Sequence, residues 1–274
     1  DEEPTEIRIL QISMTNKNNI YLSETSTLYK QKRGGVGNKA KLEAGVYVIH
    51  SEQIESNEEI AFFTHSGDFY HYPAAALPVG ERVAIESLFG LSGGERIVAI
   101  SSFNKRKAEK NIVFFTKNGF VKKSELSEYN LKRSGSLKAI NLDANDEIAS
   151  ILFIDNEDVG IMTELGNFIR ITTSDIRPIG RVARGVKAIK LNDGDYVISA
   201  RIIPDDTKYI ASISGAGLFK KTPFNEFTTQ GRGTKGSKIQ KLNEGDYMAD
   251  FYPITKDGEV LVASTNACIK LTTN

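Results

Sequence analysis

A short pattern recurs six times along the 274 residues, and its spacing constrains the fold more than any other feature of the sequence. The four central copies have apolar residues, a Thr or Ser, two variable residues, a Gly, one further residue and an apolar one, as at residues 114–121, and the first and last copies are looser. The Thr or Ser lies at positions 15, 64, 116, 163, 214 and 264, so successive copies are 49, 52, 47, 51 and 50 residues apart. A period near fifty residues predicts a repeat architecture.

Each copy of the pattern predicts a β-hairpin whose turn ends on a residue with positive φ. Glycine adopts this conformation without strain and asparagine tolerates it, which accounts for Asn18 in the glycine position of the first copy. Ala267 occupies that position in the sixth copy, so we expect a different turn there. A second apolar strand recurs with the same period, at residues 46–49, 97–100, 148–151, 197–200 and 248–251.

The short strands and the near absence of helical periodicity predict an all-β fold. A marginal helical candidate covers residues 22–29. Radially arranged sheets protect most strand edges, so we expect a six-bladed propeller-like ring (a β-pinwheel) of four-stranded antiparallel sheets. A β-solenoid is the alternative, although its repeats are usually shorter. We expect one domain over residues 1–274, with the last repeat either incomplete or closed by the N-terminal strand near residues 7–14.

Basic residues collect in the loops between each hairpin and the next apolar strand, although the formal net charge of the chain is zero. The first, third, fourth and fifth basic loops, at residues 30–41, 131–138, 177–190 and 228–241, contain no Asp or Glu. The second loop, around residues 79–83, is close to neutral. A ring would bring these loops to one rim. One such loop alone would indicate only a soluble turn, but four matching loops indicate a surface that follows a phosphate backbone.

The candidate nucleic-acid-binding residues are the cations of these loops and the Gln and Gly of the first loop, whose backbone N–H groups can approach phosphate. They are Lys30, Gln31, Lys32, Arg33, Gly34, Gly35, Gly37, Lys39, Lys41, Lys132, Arg133, Lys138, Arg177, Arg181, Arg184, Lys187, Lys190, Arg232, Lys235, Lys238 and Lys241.

Other functional classes find little support in the sequence. Three histidines without Cys or carboxylate at ligand spacing predict no metal site, and Cys268 has no context for a nucleophile. Residues 231–236 match Gly-x-Gly-x-x-Gly, but the residues that follow alternate like a strand, so we expect no dinucleotide cofactor. No run of residues approaches the roughly 18 apolar residues of a membrane span. The acidic residues 1–6 do not resemble a signal peptide, and a single cysteine fits a reducing compartment.

Residues 31–37, Gln-Lys-Arg-Gly-Gly-Val-Gly, closely resemble the signature box of the C-terminal domain of DNA gyrase A, Gln-Arg-Arg-Gly-Gly-x-Gly. Lys32 replaces the first Arg of the box, which keeps the charge but loses the planar guanidinium. Residues 132–138, 180–187 and 230–238 resemble the degenerate boxes of later blades in that family. The resemblance implies a six-bladed β-pinwheel with duplex DNA wrapped around its outer edge, and a box that makes the wrap productive for negative supercoiling.

The same resemblance implies that this chain has no catalytic residues and no cofactor of its own. It would form part of an ATP-dependent type IIA topoisomerase, with the rest of gyrase A and gyrase B as partners. It would be a monomer when isolated, without membrane contact, in the bacterial cytoplasm at the nucleoid. One alternative is the homologous C-terminal tail of topoisomerase IV, which typically lacks an intact box. Another, of a different class, is a propeller-like protein-interaction scaffold.

Overall fold

The computed structural model describes residues 6–24, 44–102, 109–129 and 135–255, together with the backbone of residues 259–263 and 268–272. The chain divides into two compact units. Unit 1 comprises Asp1–Phe63, Phe69–Lys107 and Lys132–Leu137, and unit 2 comprises Thr64–Asp68, Ala108–Leu131 and Lys138–Asn274. The prediction of one domain over residues 1–274 stays a prediction.

The strands form six sheets, and every strand pair with a described register is antiparallel. The first sheet, in the order β3-β1-β2-β6, contains β1 (Ile9–Thr15), β2 (Asn19–Glu24), β3 (Val48–Glu55) and β6 (Arg82–Ala84). The second, β10-β5-β4-β7, contains β4 (Glu59–Thr64), β5 (Asp68–Pro73), β7 (Ile97–Ser102) and β10 (Leu137–Lys138). The third, β11-β8-β9-β14, contains β8 (Asn111–Thr116), β9 (Phe120–Glu125), β11 (Ile148–Ile154) and β14 (Val186–Lys187).

The remaining sheets continue the series along the chain. The fourth sheet, β15-β12-β13-β18, contains β12 (Asp158–Thr163), β13 (Asn167–Thr172), β15 (Val197–Ile202) and β18 (Ser237–Lys238). The fifth, β17-β16-β19, contains β16 (Thr207–Ser214), β17 (Phe219–Pro223) and β19 (Met248–Thr255). The sixth pairs β20 (Glu259–Ala263) with β21 (Cys268–Thr272).

Every four-stranded sheet has the same plan, which draws on two repeats. A hairpin forms its two central strands, and the apolar strand later in the same repeat pairs with the first hairpin strand. The fourth strand is two or three residues long and comes from the loop after the next hairpin in the chain. The predicted hairpins, apolar strands and four-stranded sheets are confirmed. The exchange of the fourth strand between repeats is a feature that the sequence pattern does not show.

Helical structure is limited in the described residues. The α-helix α1 (Ile85–Phe89) ends at Gly90, whose φ of 62° is left-handed. Four short 3-10 turns follow hairpins, at Ala74–Ala76, Leu126–Tyr129, Thr173–Asp175 and Phe224–Glu226. The predicted all-β class is therefore confirmed. The marginal helical candidate at residues 22–29 is wrong for residues 22–24, which belong to β2, and its remainder lies outside the described residues.

Alternating strand residues supply the hydrophobic cores. In unit 1 the buried side chains of both sheets, including Ile12, Ile54 and Phe62, pack in one cluster. In unit 2 one cluster joins the third and fourth sheets around Val113, and another joins the fourth and fifth around Phe168. Complete burial of such side chains stabilises the fold by roughly 1.5–3 kcal/mol each. These clusters hold the sheets that carry the basic loops.

Candidate nucleic-acid interface

Hairpin turns hold the ends of the third, fourth and fifth basic loops in place. In the third sheet the Thr116 hydroxyl accepts a hydrogen bond from the backbone N–H of Phe120 at 3.2 Å. Gly119 has a φ of 83°, and its carbonyl oxygen accepts the N–H of Ala188 at 2.8 Å. A Cβ at Gly119 would lie 2.9 Å from the Ile189 carbonyl oxygen. The glycine therefore serves both the turn and the close approach of the next repeat.

The same contacts recur in neighbouring sheets. The carbonyl oxygens of Gly67 and Gly166 accept the N–H groups of Ala139 and Ile239 at 2.7 and 2.9 Å. Gly67, Gly166 and Gly217 have positive φ, as does Asn18 at 51°, which confirms the predicted turns of the first five copies. The sixth turn, with Ala267, lies outside the described residues.

An acidic residue closes each turn of the third to fifth repeats from the opposite side. Asp146 accepts the N–H of Asn118 at 2.9 Å, and Asp195 accepts the N–H of Leu165 at 2.9 Å. Asp246 accepts the N–H of Ala216 at 3.0 Å. Hydrogen bonds from Ser214 and from backbone N–H groups keep the pKa of Asp246 below its usual value. The acidic turns of the sequence are thus structural parts of the hairpins.

Three predicted lysines lie at equivalent places on the short fourth strands. Lys138 pairs with Asp68 at 2.7 Å, and the ammonium of Lys187 lies 5.4 Å from the ring centroid of Phe120. Lys238 donates to the carbonyl oxygen of Leu165 at 2.6 Å. Each contact is made with the hairpin that the strand joins. These lysines therefore place positive charge at successive hairpin turns and fasten the strands there.

The fourth basic loop rests on a buried lysine, Lys122 of β9. Its side chain has 0% exposure, and its ammonium donates to the hydroxyl of Tyr129 and the carbonyl of Ala139, both at 2.9 Å. It also donates to the carbonyl of Gly180 at 3.5 Å and to that of Arg181. These bonds tie the start of the fourth basic loop to the sheet interior.

Burial changes the acid–base behaviour of the lysines in this region. Desolvation lowers the pKa of Lys122 from 10.5 to about 7, an effect that Glu128 opposes and Arg181 reinforces. Desolvation also lowers the pKa of Lys123, against the charges of Asp155 and Glu157. The Lys123 ammonium donates to the carbonyl oxygens of Asp155 and Thr173 at 3.0 and 3.1 Å. Both lysines are therefore structural.

Two predicted arginines of the fourth basic loop are engaged within the fold. The Arg181 guanidinium donates to the carbonyl of Lys138, and its backbone N–H donates to Glu128 at 2.6 Å. Arg184 pairs with Asp143 at 2.6 Å, although its side chain is 70% exposed. A phosphate would have to compete with these partners. We therefore expect both arginines to contribute less to DNA binding than their sequence positions suggest.

Five other predicted cations are exposed and have no ion-pair partner in the part of the chain that the structure describes. They are Arg177, Lys190, Arg232, Lys235 and Lys241. All belong to the fourth and fifth basic loops. Lys30, Gln31, Lys32, Arg33, Gly34, Gly35, Gly37, Lys39, Lys41, Lys132 and Arg133 lie outside the described residues, so their assignment stays a prediction.

Within unit 2, backbone hydrogen bonds join the fourth basic loop to the fifth and to the segment that follows β10. Asn141, just beyond the third loop, donates to the carbonyl of Ala183 at 3.4 Å. In the fifth loop the N–H of Gly233 donates to Ala188 at 2.6 Å, and the Thr234 carbonyl accepts the N–H of Lys190 at 2.8 Å. The fourth and fifth loops also place Arg177 and Arg232 on the same cavity. The structure thus brings these predicted residues together across a repeat boundary.

Sequence reasoning did not identify the buried lysines, although a signal is present. Lys-Lys follows the hairpin glycine at Lys122–Lys123 and again at Lys220–Lys221. Lys220 donates to the Ile239 carbonyl at 2.7 Å, as Lys122 does to the equivalent carbonyl of Ala139. Other repeats have Tyr70 or Ile169 at this strand position. A lysine here donates to a carbonyl of the following loop in both repeats, although Lys220, unlike Lys122, is exposed.

The described residues contain neither a metal-binding cluster nor a membrane-spanning helix. No group of three or more His, Cys, Asp or Glu among them could hold a metal ion. None of their helices is long and apolar enough to cross a membrane. Strand β18 follows the Gly-x-Gly-x-x-Gly segment, where a dinucleotide site would require a helix.

The family model for the DNA gyrase C-terminal domain, beta-propeller, matches residues 110–155, 158–204 and 208–255, together about half of the chain. The DNA gyrase A protein of Helicobacter pylori (strain ATCC 700392 / 26695) is 35% identical over 243 residues, which are 85% of this chain and 29% of that protein. The DNA gyrase A protein of Mycolicibacterium smegmatis (strain ATCC 700084 / mc(2)155) is 34% identical over 226 residues, 79% of this chain and 27% of the relative. The chain thus spans less than a third of the length of these relatives.

Solved structures share the fold at lower sequence identity. The C-terminal domain of DNA topoisomerase IV superposes with a TM-score of 0.82 at 19% identity, covering 98% of this chain and 85% of that one. The DNA gyrase A C-terminal domain gives a TM-score of 0.71 at 20% identity, covering 96% and 88%. These likenesses support the fold.

Proposed function

The chain belongs to the DNA gyrase C-terminal domain family, and from this premise we propose that it binds duplex DNA and wraps it around its basic loops without sequence specificity. The domain would act within gyrase A, with gyrase B as a further partner, and support negative supercoiling by an ATP-dependent type IIA topoisomerase. Its catalytic residues would lie outside this chain. The isolated domain would be a monomer and the whole enzyme cytoplasmic, at the bacterial nucleoid.

The observation that carries this proposal is the set of exposed cations on the joined fourth and fifth loops. Arg177, Lys190, Arg232, Lys235 and Lys241 have no ion-pair partner among the described residues. Unpaired cations can release condensed counterions from DNA when they contact phosphates. Such contacts position a duplex but do not read the base edges, which accounts for binding without sequence preference.

Wrapping requires many contacts to act together. Smooth bending of a 20–30 bp site by up to 90° costs on the order of 1–6 kcal/mol. A single loop with one or two phosphate contacts could not offset this cost. Loops that are joined in series by backbone hydrogen bonds present their cations as one fixed surface, so little ordering is required when DNA binds.

The first loop, residues 31–37, would have a separate role by resemblance to the family box. Variants of Lys32 and Arg33 that retain the three glycines should still bind DNA but lose much of the topological effect. The intact box favours gyrase over topoisomerase IV, while the higher TM-score to the topoisomerase IV domain reflects the fold alone. A protein-interaction scaffold remains the alternative of another class.

Titration with duplexes of increasing length tests the proposal. Affinity should increase up to tens of base pairs, be equal for unrelated sequences, and give a slope of log affinity against log salt of about −5 to −9 if six to ten phosphates are neutralised. A scaffold would bind DNA weakly, with a shallow slope and no dependence on length. That result would refute the proposal.

Closure of nicked plasmid by ligase in the presence of the domain measures wrapping directly as a shift in linking number. The box variant should retain affinity and lose most of the shift. As a comparison, Arg181, Arg184 and Lys187 changed together to Ala should lower affinity, by less than roughly 1 kcal/mol per residue, because Arg181 and Arg184 already have partners. Equal loss of affinity and linking-number shift in both variants would contradict a special role for residues 31–37.

A further inference from the structure

A cavity of about 410 Å³ lies in unit 2 between β9 and the fourth and fifth basic loops. Its lining includes Val121, Lys122, Lys123, Asp175, Arg177 and Arg232. Its volume is within the range of about 300–1,000 Å³ that small-ligand sites occupy. Exposed arginines of two different basic loops, Arg177 and Arg232, share this lining.

The charges around this cavity favour an anion. Arg177 and Arg232 are exposed, and within the described residues neither has an ion-pair partner. Asp175 is the one acidic residue of the lining. The ammonium groups of Lys122 and Lys123 donate to backbone carbonyls and are not available to a ligand. Two unpaired arginines and one carboxylate therefore line the cavity, which leaves an excess of positive charge.

Hydrogen bonds next to each arginine hold the walls in place. Ile179, two residues beyond Arg177, donates its N–H to the Lys123 carbonyl at 2.9 Å and accepts the Ser124 hydroxyl at 2.7 Å. Gly233, directly after Arg232, donates to Ala188 at 2.6 Å. The backbone that carries both guanidinium groups is thus fixed before a ligand arrives, which lowers the cost of binding.

The lining also indicates which phosphate compound fits. Its neutral members are aliphatic, Val121, Ile176, Ile179 and Val186, and none of the lining residues is aromatic. A nucleotide base or a single-stranded segment would normally be recognised by stacking on an aromatic ring. A backbone phosphodiester needs only cations and N–H groups, and its flanking sugars can contact aliphatic side chains.

We propose that this cavity is a phosphate subsite in which one backbone phosphate of duplex DNA is bound jointly by Arg177 and Arg232. The inference rests on the proposed DNA-binding function and refines it, because it assigns one shared phosphate to two loops. The planar guanidinium group can bind phosphate through two parallel hydrogen bonds, and two such groups can bind opposite sides of the same phosphate. DNA would then bridge the repeat boundary at a fixed point.

A double-mutant cycle on the whole 274-residue chain tests the shared phosphate. Arg177→Ala and Arg232→Ala should each weaken binding to a long duplex about tenfold. Together they should weaken it about thirtyfold at most, below the roughly hundredfold expected of independent sites. In the double variant, the slope of log affinity against log salt should decrease in magnitude by about 0.9, the value for one phosphate, rather than by about 1.8, the value for two.

The matched control is the pair Lys190 and Lys241, which lie in the same two loops, are exposed and do not line the cavity. Their losses should multiply, because they face different phosphates. Removal of the negative charge of the cavity gives a second test. Asp175→Asn should strengthen DNA binding about threefold, whereas Asp193→Asn, at an exposed turn away from the cavity, should change affinity much less.

The outcomes separate this inference from the proposed function. The shared subsite would be overturned, while the unmodified chain still bound DNA, by any of three results. These are losses of affinity that multiply for Arg177 and Arg232, a salt slope reduced by about 1.8, or no loss of affinity in either variant. A shallow slope and length-independent binding by the unmodified chain would instead refute the DNA-wrapping function itself. Both arginines are exposed, and circular dichroism of each variant verifies that the fold is retained.

Discussion

Replacement of Lys122 by Met tests the buried ammonium that supports the fourth basic loop. Met is similar in length but has no hydrogen-bond donor, so the Tyr129 hydroxyl and the carbonyls of Ala139, Gly180 and Arg181 lose a common partner. The same change removes a charged group whose pKa is lowered to about 7 by burial. The two effects can be separated because only the second depends on pH.

The sign of the pH effect follows from proton binding in the two states. An unfolded lysine keeps its proton to about pH 10.4, whereas Lys122 in the folded protein loses it near pH 7. Between these values the unfolded chain binds more protons, so the free energy of unfolding increases with pH. At roughly 1.36 kcal/mol per pH unit, the increase from about pH 7.5 to 9.5 is roughly 2 to 3 kcal/mol.

Neighbouring groups set the usable range of pH. The pKa of Lys123 is also lowered, so it adds an increase of the same sign that the Lys122 variant retains. The pKa values of Tyr196 and Tyr252 are raised to about 12, so ionisation of the unfolded tyrosines lowers stability only above about pH 10.

Urea unfolding followed by far-UV circular dichroism measures the effect at several pH values up to 9.5. We expect the unmodified chain and Lys208→Met, a change at an exposed lysine of β16, to gain stability together as the pH rises. Lys122→Met should lack roughly 2 to 3 kcal/mol of that gain in the transition of unit 2. An equal pH dependence in all three proteins would show that the ammonium of Lys122 is not desolvated.

Three further predictions concern turns and loop charges. Gly119→Ala should destabilise the fold by more than the roughly 1–2 kcal/mol of a left-handed alanine, because the new Cβ would lie 2.9 Å from the Ile189 carbonyl oxygen. It should also cost more than Gly194→Ala, where φ is positive but the space is open, and urea unfolding measures both. Thr116→Val should cost about 1–2 kcal/mol in the same assay, because it leaves a turn N–H without its acceptor, whereas Thr116→Ser should retain stability. Arg184→Ala should lower DNA affinity less than Arg177→Ala in a duplex titration, since Asp143 already neutralises Arg184, and the reverse order would contradict the assignment of exposed cations.

Local turn chemistry is the part of the fold that the sequence predicts well. The Thr, the glycine and the apolar residues of each hairpin interact within five residues, so their pattern is complete in a short segment. Positive φ at Gly67, Gly119, Gly166, Gly217 and Asn18 follows directly from that pattern. The apolar strands are equally visible as short runs in the sequence, although Tyr47, Val48 and Ile49 of the first run are exposed.

Contacts between repeats are harder to predict from the sequence. The fourth strands are two or three residues long, too short to show a period, and their partners are a whole repeat away. Lys122 and Lys123 look like surface lysines because the carbonyls that bind them come from distant segments. For the same reason Arg184 was predicted to be available, although Asp143 lies beside it.

The exchanged fourth strand makes the repeats directional. Each four-stranded sheet is completed by the repeat that follows it. Strand β14, for example, lies within the fourth basic loop and forms the edge of the third sheet. Loss of one repeat would therefore expose an edge of the sheet before it, while the sheet after it would keep its own fourth strand. Loss of a repeat should therefore destabilise the repeat on its N-terminal side. A fragment cut at a repeat boundary should end in a three-stranded sheet whose open edge can pair with another chain.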